Sequence, residues 1–243
     1  ISPEEKKAVA YHEAGHATVS WLLEYAHPLV KVTIVPRGKA LGAAWYLPEE
    51  RQLTTTEQIL DEISSALGGR AAEELSFGQI STGALNDLEK ATKQAFAMVS
   101  YFGMSEKVGN LSYYDSTGQS EYSFNKPYSE KTAELIDMEV KEIINTSYNR
   151  AKNILIKYKK QHLELSELLL EKEVIFAEDL ERIFGPRKNS KPAEEKAKPK
   201  KTAKKPKAKA VKTSDDTAEV MKDDKQEIKG EVKKETKETD AGE

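Results

Sequence analysis

The chain has 243 residues, a formal charge of −3, no cysteine and a third of its residues charged. The missing thiols exclude disulfides, thiolate metal sites and cysteine nucleophiles. No apolar run approaches the roughly 18 residues a membrane helix needs, and no signal peptide opens the chain.

The helix signals begin at once. Ser2 reads as an N-cap, Pro3 as the first helical residue and Glu5 as the return half of a capping box. The helix is expected over residues 3–26, where His27-Pro28 stops it. Residues 30–35 and 41–47 flank the glycine-containing loop "PRGKA" and read as a hairpin. Thr54 and Glu57 cap a second helix through Leu75, which carries Gly68 and Gly69 inside it. Each glycine costs roughly 1 kcal/mol relative to alanine, so a second backbone is expected to approach closely there.

"STGALNDLEKATKQAFAMVSYFG" reads as a third helix, with Leu88, Ala91, Ala95, Met98 and Phe102 on one face and Gly103 as its stop. Residues 104–127 read as a loop. Ser129 caps a long helix with apolar positions Ala133, Ile136, Val140, Ile143, Ala151, Ile154 and Tyr158, and two short helices follow near 163–172 and 177–184. The fold class is mainly α with one small β-hairpin, over a domain of residues 1–186. Residues 187–243 read as a disordered, low-complexity tail rich in Lys and Glu, with too few apolar residues to offset the entropy of ordering it. The tail holds 18 Lys/Arg against 13 Asp/Glu, whereas residues 1–186 hold 20 against 28. The chain opens on Ile1 and so reads as a piece of a longer protein.

The chemistry sits in the first helix. "HEAGH" places His12 and His16 one turn apart, pointing the same way. Two imidazoles so placed can grip one metal ion and leave Glu13 beside it to handle a proton. Zinc suits nitrogen and oxygen ligands, and held by three of them it keeps a water whose pKa falls to about 7. Such a site hydrolyses peptide bonds, with the metal stabilising the developing oxyanion and Glu13 passing the proton to the leaving amine. As core residues the two histidines would share a face with Val9, Val19 and Leu23. The pattern around Glu13 favours the metal.

A third ligand must come from elsewhere. His27, beside a proline, and His162, in a polar run, are expected at the surface. Glu73 and Glu74 on the second helix and Asp87 in the first turn of the third remain open. Asp87 also suits the positive end of a helix dipole, and Glu73 suits a pair with Arg70 three residues back. Periodicity does not choose among them.

The motifs "HEAGHA", "VTIVPRGKALG", "LPEE", "GGRAAEEL", "STGALNDLEKAT" and "FGMSE", followed by "PYSEKTAELID" and "LLEKEVI", resemble the peptidase domain of FtsH-type proteins, the membrane-anchored, ATP-dependent zinc metalloproteases. The resemblance spans about residues 1–186. It implies a mostly helical domain that assembles as a homo-hexamer beneath a ring of ATPase domains and binds one Zn2+ per chain. His12 and His16 match the family's zinc histidines, Glu13 its catalytic glutamate, and Asp87 the aspartate ligand of its "TGAxxD" motif. Glu73 then becomes a helix-locking residue or one that supports a ligand. The phosphate loop "GxxxxGK[ST]" does not occur in the sequence, so ATP is expected only in an ATPase part preceding this piece.

The resemblance further implies unfolded or membrane protein substrates, and a membrane anchor lying N-terminal to the piece. The peptidase domain would face the cytoplasm at a bacterial inner membrane, or the equivalent side in an organelle. Leu41, Gly42, Ala43, Ala44 and Trp45 are candidate substrate-binding residues, because an exposed edge strand pairs with an extended chain through main-chain hydrogen bonds. An ordinary half-buried strand is the other reading of that segment. A zinc-binding scaffold that has lost catalysis is the alternative function. The tail's lysines lack interleaved aromatics and are followed by an acidic stretch, so no nucleic-acid partner is expected.

Overall fold

The computed structural model of the chain describes residues 2–36, 41–47, 52–117 and 126–188. The expected tail, apart from Arg187 and Lys188, and most of the hairpin loop lie outside the described residues. The described residues form six α-helices and one three-stranded antiparallel sheet. None of their helices is long and apolar enough to cross a membrane.

Helix α1, Pro3–Leu22, starts with the expected capping box: Ser2 Oγ accepts from Glu5 N, and Glu5 accepts from Ser2 N at 2.9 Å. From Ala10 to Trp21 it is buried, because α2 covers one side and α5 with the sheet cover the other. It ends four residues before the expected stop. The cause is tertiary: Asp61, buried on α2, accepts from Tyr25 N at 2.8 Å and draws the chain out of the helix.

Strand β1, Leu29–Thr33, lies between β2, Ala43–Tyr46, and β3, Val174–Phe176. Lys31 faces Trp45 on one side and Phe176 on the other. The hairpin is as expected, but β3 is an addition; three residues are too few to display a period of two.

Helix α2, Thr56–Phe77, is capped by Thr55 with Gln58, one residue later than expected, since the run "TTTEQ" offers two overlapping capping boxes. The expected close approach is present. A β-carbon on Gly68 would lie 2.8 Å from Gly15 O, and one on Gly15 would lie 2.5 Å from Gly68 O. The α1 and α2 backbones therefore touch at the turn that carries His12 and His16.

Helix α3, Leu85–Ser100, follows a short 3-10 turn, Thr82–Ala84. Ala91, Ala95 and Met98 are buried against α2 and α4 as expected. Phe102 is not: the helix ends two residues before it and the ring is 59% exposed.

Helix α4, Glu130–Lys157, is capped by Ser129 and runs almost directly into α5, Lys159–Lys172. Because α5 starts four residues earlier than expected, His162 is buried at 4% exposure and not at the surface. Its Nε2–H donates to the Tyr11 carbonyl at 3.2 Å. The lysines around it take the outward face. His27 is half-buried and pairs with Glu62 at 3.0 Å.

Helix α6, Ala177–Phe184, closes the domain. Trp21 Nε1–H donates to Gly185 O at 2.9 Å, and the buried Arg187 donates to Ala26 O, so the packing reaches one residue beyond the expected boundary at 186.

Candidate metal centre

The close crossing of α1 and α2 determines which way the two histidines face. His16 Nδ1–H donates to the Ser65 carbonyl of α2 at 2.9 Å, a group that can only accept. His12 Nδ1–H donates to Glu73 Oε1 at 2.7 Å. In both neutral rings Nε2 therefore carries a lone pair, and the two Nε2 atoms stand 3.0 Å apart. From the start of α3, Asp87 brings Oδ2 to 3.3 Å from each of them.

Three acceptors thus converge on one point, the ligand atoms all lying within 4.8 Å of one another. Lone pairs this close repel unless a cation lies among them. Gly69 lets both rings lie directly against α2, since a β-carbon there would stand 2.5 Å from His12 Nε2 and 2.6 Å from His16 Nε2. Two imidazole nitrogens and a carboxylate oxygen form a donor set that suits zinc. The residues present fit a metal ion.

The electrostatics agree. Burial pulls His12 down, but Asp87 and Glu73 outweigh it and lift the ring to about 9, so that without a metal a proton takes the cation's place. Burial pushes Asp87 up, and its interactions with the His12 and His16 rings reverse this, holding the carboxyl well below its usual range. Burial is also the first influence on Glu73, and the His12 and Ser81 donors overcome it and lower the group. Glu13 behaves in the opposite way: burial raises it against the pull of the two histidines.

Of the open candidates for the third ligand, Asp87 is the one grouped with His12 and His16. Asp87 stands at His12 Nε2, while Glu73 lies at Nδ1 on the other side of the same ring. The expected Glu73–Arg70 pair is replaced: Glu73 accepts from His12 and twice from Ser81, and Arg70 Nη2–H donates to Ser81 O at 3.1 Å. Glu74 points elsewhere, taking a hydrogen bond from the Tyr148 hydroxyl.

Among the described residues strand β2 is one of the two edge strands of the sheet, the other being β3; it begins at Ala43 and leaves Leu41 and Gly42 just before it. A β-carbon on Gly42 would lie 2.9 Å from Glu13 Oε1, so the entry to this edge rests against the candidate base. Ala44 and Tyr46 pack on the core, and Trp45 is 45% exposed with the Lys31 ammonium 5.2 Å from its ring centre. Ser65 and Ser81 carry no role in the sequence reading, whereas Gly42 is among its candidate substrate-binding residues. Ser65 acts through its carbonyl, which sequence does not display; Ser81 had a signal in its "STG" turn.

A pair of histidines one turn apart on a buried helix, a carboxylate from a second helix and a buried glutamate between them define a metallohydrolase centre. Residues 1–183 match the sequence profile of Peptidase family M41. The ATP-dependent zinc metalloprotease FtsH of Parabacteroides distasonis is 68% identical over 184 residues, covering 76% of this chain and 27% of its own. The FtsH of Karelsulcia muelleri is 56% identical over 184 residues, with 76% and 30% covered. A mitochondrial inner membrane m-AAA protease component of Mus musculus is 51% identical over 187 residues, with 77% and 24% covered. The chain belongs to peptidase family M41 and carries its metalloendopeptidase domain. It spans less than a third of the length of these relatives.

Proposed function

We propose that the chain is the proteolytic part of a membrane-anchored, ATP-dependent zinc endopeptidase that cuts unfolded or membrane proteins. The observation that carries this reading is the convergence of His12 Nε2, His16 Nε2 and Asp87 Oδ2, with the buried Glu13 between the two histidines on α1. His12, His16 and Asp87 would hold one zinc ion, which when bound polarises the scissile carbonyl and acidifies a water.

Glu13 removes the proton from the attacking water and returns it to the leaving amine nitrogen. Its upward shift by burial brings the carboxyl closer to the working pH, where a general base is most effective. The substrate lies along β2 as an added strand, held by main-chain hydrogen bonds at Leu41, Gly42, Ala43, Ala44 and Trp45. Gly42 brings that edge against Glu13, so a peptide paired there passes the base.

ATP hydrolysis, the membrane anchor and the contacts of a homo-hexamer belong to the parent protein, as the names of the relatives support for ATP and for the membrane. The domain then faces the cytoplasm or the corresponding organelle compartment. Residues 187–243 are proposed as a solvated tail that binds no nucleic acid. The alternative, a zinc-binding scaffold without catalysis, is disfavoured by the intact Glu13.

Zinc content and cleavage of casein by the 243-residue chain test the proposal. One zinc per chain is expected, with cleavage abolished by a chelator and restored by zinc. A chain that binds no zinc, or one fully loaded that leaves casein intact, would overturn it.

A further inference from the structure

We infer that Ser81 is a positioning residue of the metal centre, acting through Glu73 to orient His12 and to anchor the turn that delivers Asp87. The inference rests on the assignment of His12, His16 and Asp87 as ligands. Glu73 is 4% exposed, so its buried carboxyl oxygens need hydrogen-bond donors to replace water. It has three, and Ser81 supplies two of them: the backbone N–H to Oε2 at 2.8 Å and the hydroxyl to Oε1 at 2.9 Å. The third is His12 Nδ1–H, on the same Oε1, at 2.7 Å.

One carboxylate oxygen thus receives a metal-facing imidazole from α1 and a hydroxyl from the turn before α3. The Ser81 hydroxyl oxygen also accepts from Gly83 N at 3.1 Å, which shapes the 3-10 turn Thr82–Ala84. Arg70 on α2 holds the same residue from its other end, through Ser81 O at 3.1 Å. Asp87 follows this turn in the first turn of α3. Two ligands from different helices are therefore joined by two side chains, Glu73 and Ser81, that do not face the metal.

A residue that only capped the 3-10 turn would have no need of Glu73. That difference makes the idea testable. Groups that orient a ligating histidine change metal affinity by about 10- to 100-fold when lost. Zinc dissociation constants of the full chain, read by competition with a chelating dye, should rise about tenfold in Ser81→Ala. They should stay close to wild type in Ser81→Thr, which keeps the hydroxyl. Placed on Glu73→Gln, Ser81→Ala should add less than about twofold, because two residues acting through one contact are not additive.

Ser81 is exposed, so the substitutions should leave the fold intact, with circular dichroism as the check. Should Ser81→Ala unfold, the isosteric pair Ser81→Thr and Ser81→Val gives the same comparison. Unchanged zinc affinity in Ser81→Ala, or full additivity with Glu73→Gln, would overturn the role of Ser81. A wild-type chain that binds no zinc would instead overturn the ligand assignment itself.

Discussion

Gly69 and His12 stand so close that a β-carbon on Gly69 would lie 2.5 Å from His12 Nε2, in space it would also contest with His16 Nε2 at 2.6 Å. Alanine is the better helix former by roughly 1 kcal/mol. The glycine therefore keeps that space open at the expense of helix stability. Gly69→Ala should displace the two buried rings that Glu73 and Ser65 hold, lowering the stability of the metal-free domain by about 1–3 kcal/mol, and should lose zinc. Elemental analysis reading near one zinc per chain in Gly69→Ala would refute this use of the glycine.

Glu13→Gln should keep zinc near one per chain and lower kcat on casein by about 10²- to 10⁴-fold, the range expected for loss of a general base. Glutamine preserves shape and removes the proton acceptor. Zinc loss in this variant, or substantial remaining cleavage at full zinc content, would remove Glu13 from the role given to it.

Asp87→Asn and Glu73→Gln separate ligand from support. Asparagine at 87 removes the anionic donor that stands 3.3 Å from both histidines, so zinc affinity and activity should both collapse. Glutamine at 73 weakens the partner of His12 Nδ1 without touching the metal, so affinity should fall about 10- to 100-fold while saturating zinc still gives one per chain. Titrations with the two variants exchanged in order would reverse the assignment.

The sequence displayed most of what builds this centre, because the signals were local. The helical spacing of His12 and His16, the capping box at Ser2 and Glu5, and the glycines at 68 and 69 each announce their geometry within a few residues. What it did not display depends on contacts far apart in the chain. Asp61 ends α1 early by capturing Tyr25 N, 36 residues away. His162 is buried because α5 begins at Lys159 and turns the ring toward Tyr11, 151 residues away. Glu73 chose His12 over Arg70 for the same reason. The i,i+3 partner was close in sequence, but only the crossing of α1 over α2 brought an imidazole to the buried carboxylate.

His162 gives a pH prediction independent of the metal. Burial lowers its pKa from the ordinary value, and the hydrogen bond to the Tyr11 carbonyl, which favours the charged ring, reverses only part of this. Below about pH 6.5 the unfolded chain takes up a proton on this residue that the folded chain refuses. Stability therefore falls as pH falls, from about 6.5 down to the lowered folded value, with a slope of at most about 1.4 kcal/mol per pH unit for one proton. Above that window the residue contributes no pH dependence. His162→Gln keeps a donor for Tyr11 O and removes the titrating group. Urea unfolding of the chelator-treated proteins between pH 7 and pH 5 should show wild type losing stability faster than His162→Gln, since the two proteins share every other titrating group. Parallel curves through that range would mean that His162 is as easily protonated in the folded domain as outside it, and its burial would carry no energetic weight.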